Sequence, residues 1–140
     1  LVGLTLSHRR GHIVRAILES VAFMLRENLD MLENLGIPVS EIRALGGGAK
    51  GRLWLQIKAD VCGKPLVTME CAETTSLGTA MLAAVSAGLC KDLAEARTRM
   101  VRIRNRTVPR PETRDAYQAA FQRHLRLSEE TRDLCEVPAG

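Results

Sequence analysis

The segment that most constrains this chain is a run of three glycines, Gly46–Gly48, between two stretches of different periodicity. Before it, Glu41–Leu45 has the character of a short strand, and after it Arg52–Cys62 places its apolar residues at helical spacing. Leu66–Met69 then predicts a second short strand. A strand, a helix and a strand in succession form a parallel pair with a right-handed crossover. The sequence therefore predicts an α/β fold with short parallel strands packed against several helices.

Helical segments surround this unit on both sides. A long first helix is predicted over Ser7–Leu35, with the hydroxyl of Ser7 as its N-cap. Its packing face is predicted to be a stripe formed by Ile13, Val14, Ile17, Leu18, Val21, Leu25, Leu29 and Leu32. Further helices are predicted over Leu77–Leu89, Leu93–Met100 and Glu112–Leu134. Two strands alone make a poor sheet, so either more strands precede Leu1 or the helices carry the stability.

Composition excludes several classes of protein. With 140 residues, an apolar fraction of 46% and a charged fraction of 26%, the chain is predicted to form one ordinary globular domain. No apolar run reaches the roughly 20 residues that a membrane span needs. An aromatic content of 3% argues against nucleic-acid binding by base stacking. The sequence thus predicts partners other than membranes or nucleic acids.

The cysteines and histidines form no pattern that is typical of a metal site, so no bound metal is predicted on them. The four cysteines include no C-x-x-C pair, and free thiols in a reducing cytoplasm are predicted for them. They are Cys62, Cys71, Cys90 and Cys135. The dispersed His8, His12 and His124 are expected to be solvated or to cap helices. The chain begins with Leu1 rather than Met, which suggests a piece of a longer protein.

The glycine run has the features of a ligand-binding loop. Without side chains, its backbone allows a phosphate or a ribose to approach closely, and the amides at the following helix start can point at an anion. The phosphate-loop pattern G-x-x-x-x-G-K-[ST] is excluded, since arginine and leucine follow the last glycine. The dinucleotide fingerprint G-x-G-x-x-G is met by Gly46, Gly48 and Gly51, with Glu70 at the end of the next strand. A dinucleotide-binding module therefore stays one interpretation.

Four segments, in order along the chain, match one set of family motifs. Residues 15–23 read RAILESVAF, and residues 45–65 read LGGGAKGRLWLQIKADVCGKP. Residues 73–84 read ETTSLGTAMLAA, and residues 117–127 form an aromatic-containing helix. Together they resemble the FGGY carbohydrate kinases, and residues 45–65 are similar to the adenosine motif of that family. The departures remove no group that the chemistry needs; they are Ser20, Gly51, Ser76 and Thr79.

The resemblance implies a fold, an activity and a site. Residues 1–140 would be part of the C-terminal, ATP-binding domain of an actin/hexokinase-like (ribonuclease H-like) sugar kinase, with residues 112–140 as its closing helix and tail. With ATP and Mg²⁺, such a kinase transfers the γ-phosphate to a sugar hydroxyl, and a xylulokinase-like enzyme acting on a pentulose such as xylulose is favoured. The ATP-binding residues carried over by position are Gly46, Gly47, Gly48, Ala49 and Arg52. The arginine would reach the adenine and stack on it.

The resemblance also implies what this chain lacks. The Asp base that takes the proton from the sugar hydroxyl and the N-terminal sugar-binding domain would lie upstream of Leu1, so no catalytic residue is assigned here. The isolated chain is expected to have no kinase activity. A truncated sheet would expose an apolar edge, which favours association into a homodimer.

The arginine-rich stretch Arg97–Arg110 supports a third interpretation. It contains six arginines and no acid, and it is expected to be a solvated face or a surface that pairs with acids elsewhere in the full protein. Pro109 and Pro111 mark an extended connection before the last helix. A non-enzymatic helical interaction domain would dock a partner through Arg102, Arg104 and Arg106. Of the remaining acids, Asp60 is expected to be a helix-end charge or to make a local hydrogen bond rather than to act as a base. Glu73 is expected to cap the following helix.

Overall fold

The computed structural model describes residues 2–71 and 73–132, in which five α-helices accompany a three-stranded sheet. The helices are α1 (Arg10–Asn34), α2 (Arg52–Cys62), α3 (Thr74–Ser86), α4 (Leu93–Met100) and α5 (Arg114–Glu130). The strands are β1 (Ile42–Ala44), β2 (Leu66–Met69) and β3 (Ile103–Thr107). Short 3-10 turns cover Gly46–Ala49 and Pro111–Thr113. Among the described helices, none combines the length and the apolar character that crossing a membrane requires.

The sheet confirms the predicted parallel pair and adds a strand. β1 and β2 are parallel, with Ile42 opposite Leu66, and α2 is the crossover between them. β3 runs antiparallel to β2 on its other side, with an irregularity between Thr68 and Met69. The sequence did not predict β3, since only a solvated or acid-pairing face was expected over Arg97–Arg110. Four of the five β3 residues are exposed, so the hydrophobic alternation that marks a strand is absent there.

Most element bounds agree with the prediction, whereas the starts of α1, α3 and α5 differ from it. α2, β2 and α4 cover the predicted residues, while α3 begins three residues early, at Thr74. Glu73 occupies the predicted N-cap position of α3, but its side chain makes no capping hydrogen bond. The predicted end of the last helix, Leu134, lies outside the described residues, as does Cys135.

The predicted cap of α1 is also wrong. The Ser7 hydroxyl is hydrogen-bonded to the Thr5 hydroxyl at 2.8 Å, and the helix starts at Arg10 with Arg9 as its N-cap. The Arg9 amide donates to the His12 Nδ1 at 3.1 Å. The histidine in the first turn thus accepts from the amide of the N-cap residue, whereas the predicted serine hydroxyl would have accepted from an amide of the first turn.

The core has two parts, on opposite sides of α2. On one side, Ile57 and Val61 pack against α1 and α5 in a cluster completed by Ala22, Phe23, Tyr117 and Phe121. On the other side, Leu55 and Ala59 pack against Leu66 of the sheet. α2 is therefore the central layer, since it separates the helices α1 and α5 from the strands.

Only part of the stripe predicted for α1 faces this core. Leu18 packs against the helical cluster and Leu29 is buried, whereas Val14, Ile17 and Val21 are 57%, 53% and 42% exposed. The apolar arc of α1 is wider than the surface that α2 and α5 cover. Helical periodicity showed that the arc exists, but it could not show which half of the arc has a partner within these residues.

Candidate functional site

The glycine run lies directly after β1 and leads the chain into α2. Gly46 has a φ of +66°, in the left-handed region that glycine adopts without strain. A single 3-10 turn covers Gly46–Ala49, and Gly51 is the N-cap of α2. The predicted strand, loop and helix are thus confirmed. The loop lies at the carboxyl end of a parallel strand, which is the edge where α/β sheets bind ligands.

Gly47 and Gly48 are not explained by the packing of the protein itself. Neither has a positive φ, and a Cβ on Gly47 would meet no atom within 4 Å. A Cβ on Gly48 would lie 3.5 Å from the Lys58 Nζ, which is an ordinary contact with the end of a flexible side chain. Both glycines are exposed. A small side chain would fit at either position, so neither backbone conformation nor packing accounts for glycine there.

A cleft of about 420 Å³ opens beside this loop. Gly46, Ala49 and Arg52 border it on the side of the loop, so three of the predicted site residues come together there. Gly47 and Gly48 belong to the same turn but lie outside the lining of the cleft. The opposite wall is formed by the end of β2 and by β3, through Thr68, Met69, Glu70, Cys71, Arg104 and Asn105.

The cleft carries an excess of positive charge. Lys50, Arg52 and Arg104 border it, against the single carboxylate of Glu70. None of these four side chains forms an ion pair with any residue in 2–71 or 73–132. Uncompensated cations around a concave surface raise the local concentration of anions. Arg104 was not predicted to border a cleft, because β3 was not predicted.

The dinucleotide fingerprint is only partly assembled. Gly46 and Glu70 both border the cleft, but Gly48 and Gly51 do not. In a dinucleotide fold the third glycine allows the helix to pack closely on the strand. Here a Cβ on Gly51 would instead meet the Trp54 Cβ of its own helix, at 3.4 Å. The spacing of the fingerprint is therefore present without the packing that gives the third glycine its role.

Asp60 lies at the other end of α2 and binds two segments of the protein to each other. Its carboxylate is buried and accepts hydrogen bonds from the Gln56 Nε2 at 2.8 Å and from the Arg110 amide at 2.8 Å. The Arg110 Nη2 donates to the second carboxylate oxygen at 2.7 Å, and this hydrogen bond raises the pKa of the Arg110 guanidinium. The Gln56 Nε2 also donates to the Val108 carbonyl at 3.0 Å. The expected local bond from Asp60 is confirmed, but the contacts with Arg110 span 50 residues and were not predicted.

A larger cleft of about 520 Å³ adjoins Asp60 but has little free charge. Its lysine, Lys64, pairs with Glu33 at 2.6 Å, and its Arg110 pairs with Asp60. Arg26 donates to the Val61 carbonyl and to Gln118. Arg26 also pairs with Asp30, so among the described residues only Arg114 borders this cleft as a cation without an ion pair, against three such cations beside the glycine run.

Residues of the motif at positions 15–23 connect α1 to α5. The Arg15 Nε donates to the Glu19 Oε1 at 2.8 Å, and the Tyr117 hydroxyl donates to the same oxygen at 3.0 Å. Partial burial raises the pKa of Tyr117. The His124 Nε2 lies 2.7 Å from the Glu27 Oε1, so this histidine also joins the two helices. The motifs at residues 15–23 and 117–127 thus meet in one contact, although about 100 residues separate them in sequence.

The arginine-rich stretch is only partly a solvated face. Arg106 pairs with Glu41 at 3.1 Å, Arg99 with Glu95 at 2.7 Å and Arg110 with Asp60. These pairs reduce the charge available to a docking partner. Within the described residues, no group of three histidine, cysteine, aspartate or glutamate side chains is placed to hold a metal ion. Three of the cysteines are free thiols, and burial raises the pKa of Cys62 to about 12.

Comparisons with known proteins agree with this geometry. The family model for the C-terminal domain of the FGGY family of carbohydrate kinases matches residues 1–87. The xylulose kinase of Bacillus subtilis is 31% identical over 134 residues, which are 96% of this chain and 27% of that protein.

Solved structures extend the likeness to the fold. The xylulose kinase of Rhodospirillum rubrum has a TM-score of 0.84 at 29% identity, over 95% of this chain and 27% of that one. The glycerol kinase of Plasmodium falciparum, solved with ADP, has a TM-score of 0.76 at 26% identity, over 96% of this chain and 26% of that one. The chain thus spans about a quarter of the length of these kinases and shares their actin/hexokinase-like fold. It belongs to the FGGY family of carbohydrate kinases and matches the C-terminal domain of that family.

Proposed function

We propose that this chain supplies the nucleotide-binding part of an ATP-dependent carbohydrate kinase. The observation that carries the proposal is the pair Gly47 and Gly48, where neither backbone conformation nor packing requires glycine. Backbone amides that are free of side chains can approach a phosphate or a ribose closely. Gly46, Gly47, Gly48 and Ala49 would line the nucleotide in this arrangement. The glycerol kinase of Plasmodium falciparum was solved with ADP, which supports a nucleotide ligand for a kinase of this fold.

The charges of the cleft suit a nucleotide with a phosphate chain. Arg52 stands at the start of α2, on the border of the cleft, where its planar guanidinium would stack on the adenine. Lys50 and Arg104 would offset the negative charge of the phosphates. In phosphoryl transfer the enzyme contributes mainly positioning and charge stabilisation. The chain would contribute the positioning of the nucleotide.

The complete reaction requires more than the residues of this chain. We assign residues 1–140 to part of the C-terminal domain and residues 112–140 to its closing helix and tail. The acceptor would be a sugar hydroxyl, with a pentulose such as xylulose favoured, and a relative named glycerol kinase keeps other polyols as candidates. An Asp base and the sugar site would come from an N-terminal domain, so the isolated chain is expected to be inactive. The complete enzyme is expected to be cytoplasmic.

Mg²⁺ would enter with the nucleotide. The described residues offer no trio of ligand side chains, so we assign none of them to the metal. Mg²⁺ commonly keeps several water ligands and is held largely by substrate phosphates, which is compatible with a cleft that lacks a carboxylate cluster.

The direct test is ADP affinity by titration calorimetry, using the chain and a Gly47→Val variant. Because the position is exposed and free of neighbours, the variant should keep its melting temperature. It should bind ADP at least about tenfold more weakly, which corresponds to about 1.4 kcal/mol of binding free energy. Gly11→Ala is the matched control, since Gly11 also has nothing within 4 Å but lies in α1, away from the cleft. Equal ADP affinity for the wild type and Gly47→Val would refute the site.

The same titration with NAD tests the dinucleotide interpretation. Gly46 and Glu70 border one cleft, which is the observation in its favour. Tighter binding of NAD than of ADP, reduced by Glu70→Ala, would support that interpretation over the kinase. The kinase interpretation expects ADP to bind more tightly, with little effect of Glu70→Ala.

A further inference from the structure

Lys58 is a charged side chain of α2 that the proposed nucleotide site does not include. It lies in the second turn of the helix, and its Nζ is 3.5 Å from the position that a Cβ on Gly48 would take. The side chains of a helix point toward its N-terminus, so a lysine in the second turn can reach back to the loop before the helix. The ammonium therefore adjoins the glycine turn without belonging to the lining of the cleft.

This ammonium has no anionic partner. Lys58 forms no ion pair with any residue in 2–71 or 73–132. Its charged group lies instead 4.5 Å from the centre of the Trp54 ring. Partial burial lowers the pKa of Lys58, because the charged form loses part of its hydration. Charges that are withdrawn from water are normally paired, so an anion is expected at this position.

The indole of Trp54 is a second donor without an acceptor. Its Nε1 is buried and makes no hydrogen bond within the described part of the chain. Trp54 lies in the first turn of α2, one turn before Lys58 on the same side of the helix. Buried donors normally have an acceptor. The side of α2 that adjoins the glycine turn therefore has donors in excess of acceptors.

The position of the turn favours a phosphate as the missing anion. The turn borders the electropositive cleft at Gly46 and Ala49 and adjoins Lys58 at Gly48. An anion that extends from the cleft across the exposed Gly48 would reach the ammonium of Lys58. A diphosphate carries charge on both of its phosphate groups, so it can contact cations at two places. Lysine is a common ligand of phosphate, which it binds as a point charge.

We propose that Lys58 binds the phosphate chain of the nucleotide where that chain passes Gly48. This inference rests on the proposed function, and it adds a residue that the family resemblance does not assign to ATP. The phosphate-loop pattern was excluded because no lysine follows the last glycine directly. Here the lysine comes from the second turn of the same helix. Without nucleotide, a cation–π contact with Trp54 keeps the ammonium beside the turn.

A carboxylate from the rest of the kinase is the other source of an anion. This chain covers 27% of the xylulose kinase of Bacillus subtilis, so other segments of such a kinase contain further acids. A carboxylate that paired with Lys58 would leave the glycine at position 48 unexplained, since a Cβ there would make only an ordinary contact with a flexible side chain. A phosphate that lies on the turn accounts for the glycine and for the lysine together.

The test measures the affinities of ADP, adenosine and pyrophosphate by titration calorimetry for the chain and for Lys58→Met. Methionine keeps an unbranched side chain beside Trp54 and removes the charge. The variant should bind ADP and pyrophosphate at least about tenfold more weakly and adenosine equally well. Lys58→Arg should keep most of the ADP affinity, because it restores a cation. Lys64→Met is the matched control, since it removes an equal charge that pairs with Glu33 beyond the other end of α2.

The outcomes separate this inference from the proposed function. ADP binding that Gly47→Val weakens and Lys58→Met does not would overturn the role of Lys58 and leave the proposed function in place. An equal loss of adenosine and ADP affinity in Lys58→Met would also overturn it, since the lysine would then support the loop rather than the phosphates. Binding of pyrophosphate that depends on Lys58, by a chain that binds no ADP, would support the phosphate contact and remove the proposed function. A chain that binds neither would overturn both.

Acetylation of lysines, read by mass spectrometry, distinguishes a phosphate from a carboxylate. The protein for this measurement is a chimera in which the chain replaces the matching 134 residues of the Bacillus subtilis xylulose kinase. Lys58 should be acetylated without nucleotide and protected when ADP is added. Lys91, which is exposed between α3 and α4, should react equally in both states. Protection of Lys58 that is complete without ADP would overturn the inference, because the ammonium would then be occupied or covered by the rest of the kinase.

Discussion

The two ends of the α2 segment differ in exposure and in the contacts that their residues make. At its start, Gly47 and Gly48 are exposed, and Arg52 borders an electropositive cleft without an ion-pair partner in the described chain. At its end, Asp60 is buried and its oxygens bind Gln56 and Arg110. Both ends belong to one continuous motif, residues 45–65. One continuous motif therefore contains an exposed part beside an electropositive cleft and a buried part that binds other segments of the protein.

The largest effect is expected from Asp60→Ala, which tests whether the buried end of α2 stabilises the fold. The substitution removes the acceptor for the Arg110 amide and guanidinium, and the loss of hydrogen bonds to a charged group should lower the free energy of unfolding by about 2–3 kcal/mol. Urea denaturation measures the change. Glu129→Ala is the control, since Glu129 is exposed near the end of α5. An unchanged free energy of unfolding would show that the contacts between Asp60 and Arg110 do not stabilise the fold.

The free energy of unfolding as a function of pH tests the buried end of α2 in a second way. Burial raises the pKa of the Cys62 thiol from 9.0 to about 12. Between these values the unfolded chain loses the proton and the folded chain keeps it, so the unfolded state binds fewer protons and stability falls as the pH rises. The wild type should lose about 1 kcal/mol of unfolding free energy from this group between pH 9 and 10.

Cys62→Ala isolates that effect. The variant should be less stable at neutral pH, because it removes buried atoms, but its unfolding free energy should fall less steeply above pH 9. Measuring both proteins below pH 10 keeps the contribution of Tyr117 small, since the usual pKa of tyrosine is 10.0 and burial raises it here. Parallel stability curves for the two proteins would contradict the assignment to Cys62.

The smallest expected effect lies at the exposed end. Arg52→Ala should weaken ADP binding about fivefold, or by about 1 kcal/mol, if its guanidinium stacks on the adenine. Stability should not change, because the side chain is exposed. Arg123→Ala on α5 is the matched control, since it removes an equal charge from an exposed position away from the cleft. Equal weakening by both variants would indicate a general charge effect rather than a stacking contact.

The sequence predicted elements well where the determinants are local. The bounds of α2 follow from Gly51 before it and from Gly63 after it, whose φ of +62° ends the helix. β2 was found because it is a buried apolar run between two breakers. The position of the glycine loop was predicted correctly because three consecutive glycines between a strand and a helix are themselves a local signal. The assignment of Gly46, Gly47, Gly48, Ala49 and Arg52 to ATP stays a prediction.

What the sequence did not predict depends on distant partners. β3 has little apolar character and is defined by its pairing with β2, so local patterns did not indicate it. The role of Asp60 depends on Arg110, and the choice of Arg9 over Ser7 as the cap depends on where His12 lies. Which part of the apolar arc of α1 is covered depends on α2 and α5, and α5 begins 80 residues after α1 ends. Each of these features requires the tertiary structure.

The position of Trp54 gives this chain a built-in optical reporter. It is the sole tryptophan of the chain, and it lies in the first turn of α2, beside Gly51. The Lys58 ammonium lies 4.5 Å from its ring centre, and its indole N–H is buried without a hydrogen-bond partner in the described residues. The same ammonium faces Gly48. A nucleotide phosphate that draws Lys58 toward the glycine turn would change the electric field across the indole, so the emission wavelength of the unlabelled protein would report occupancy of the loop.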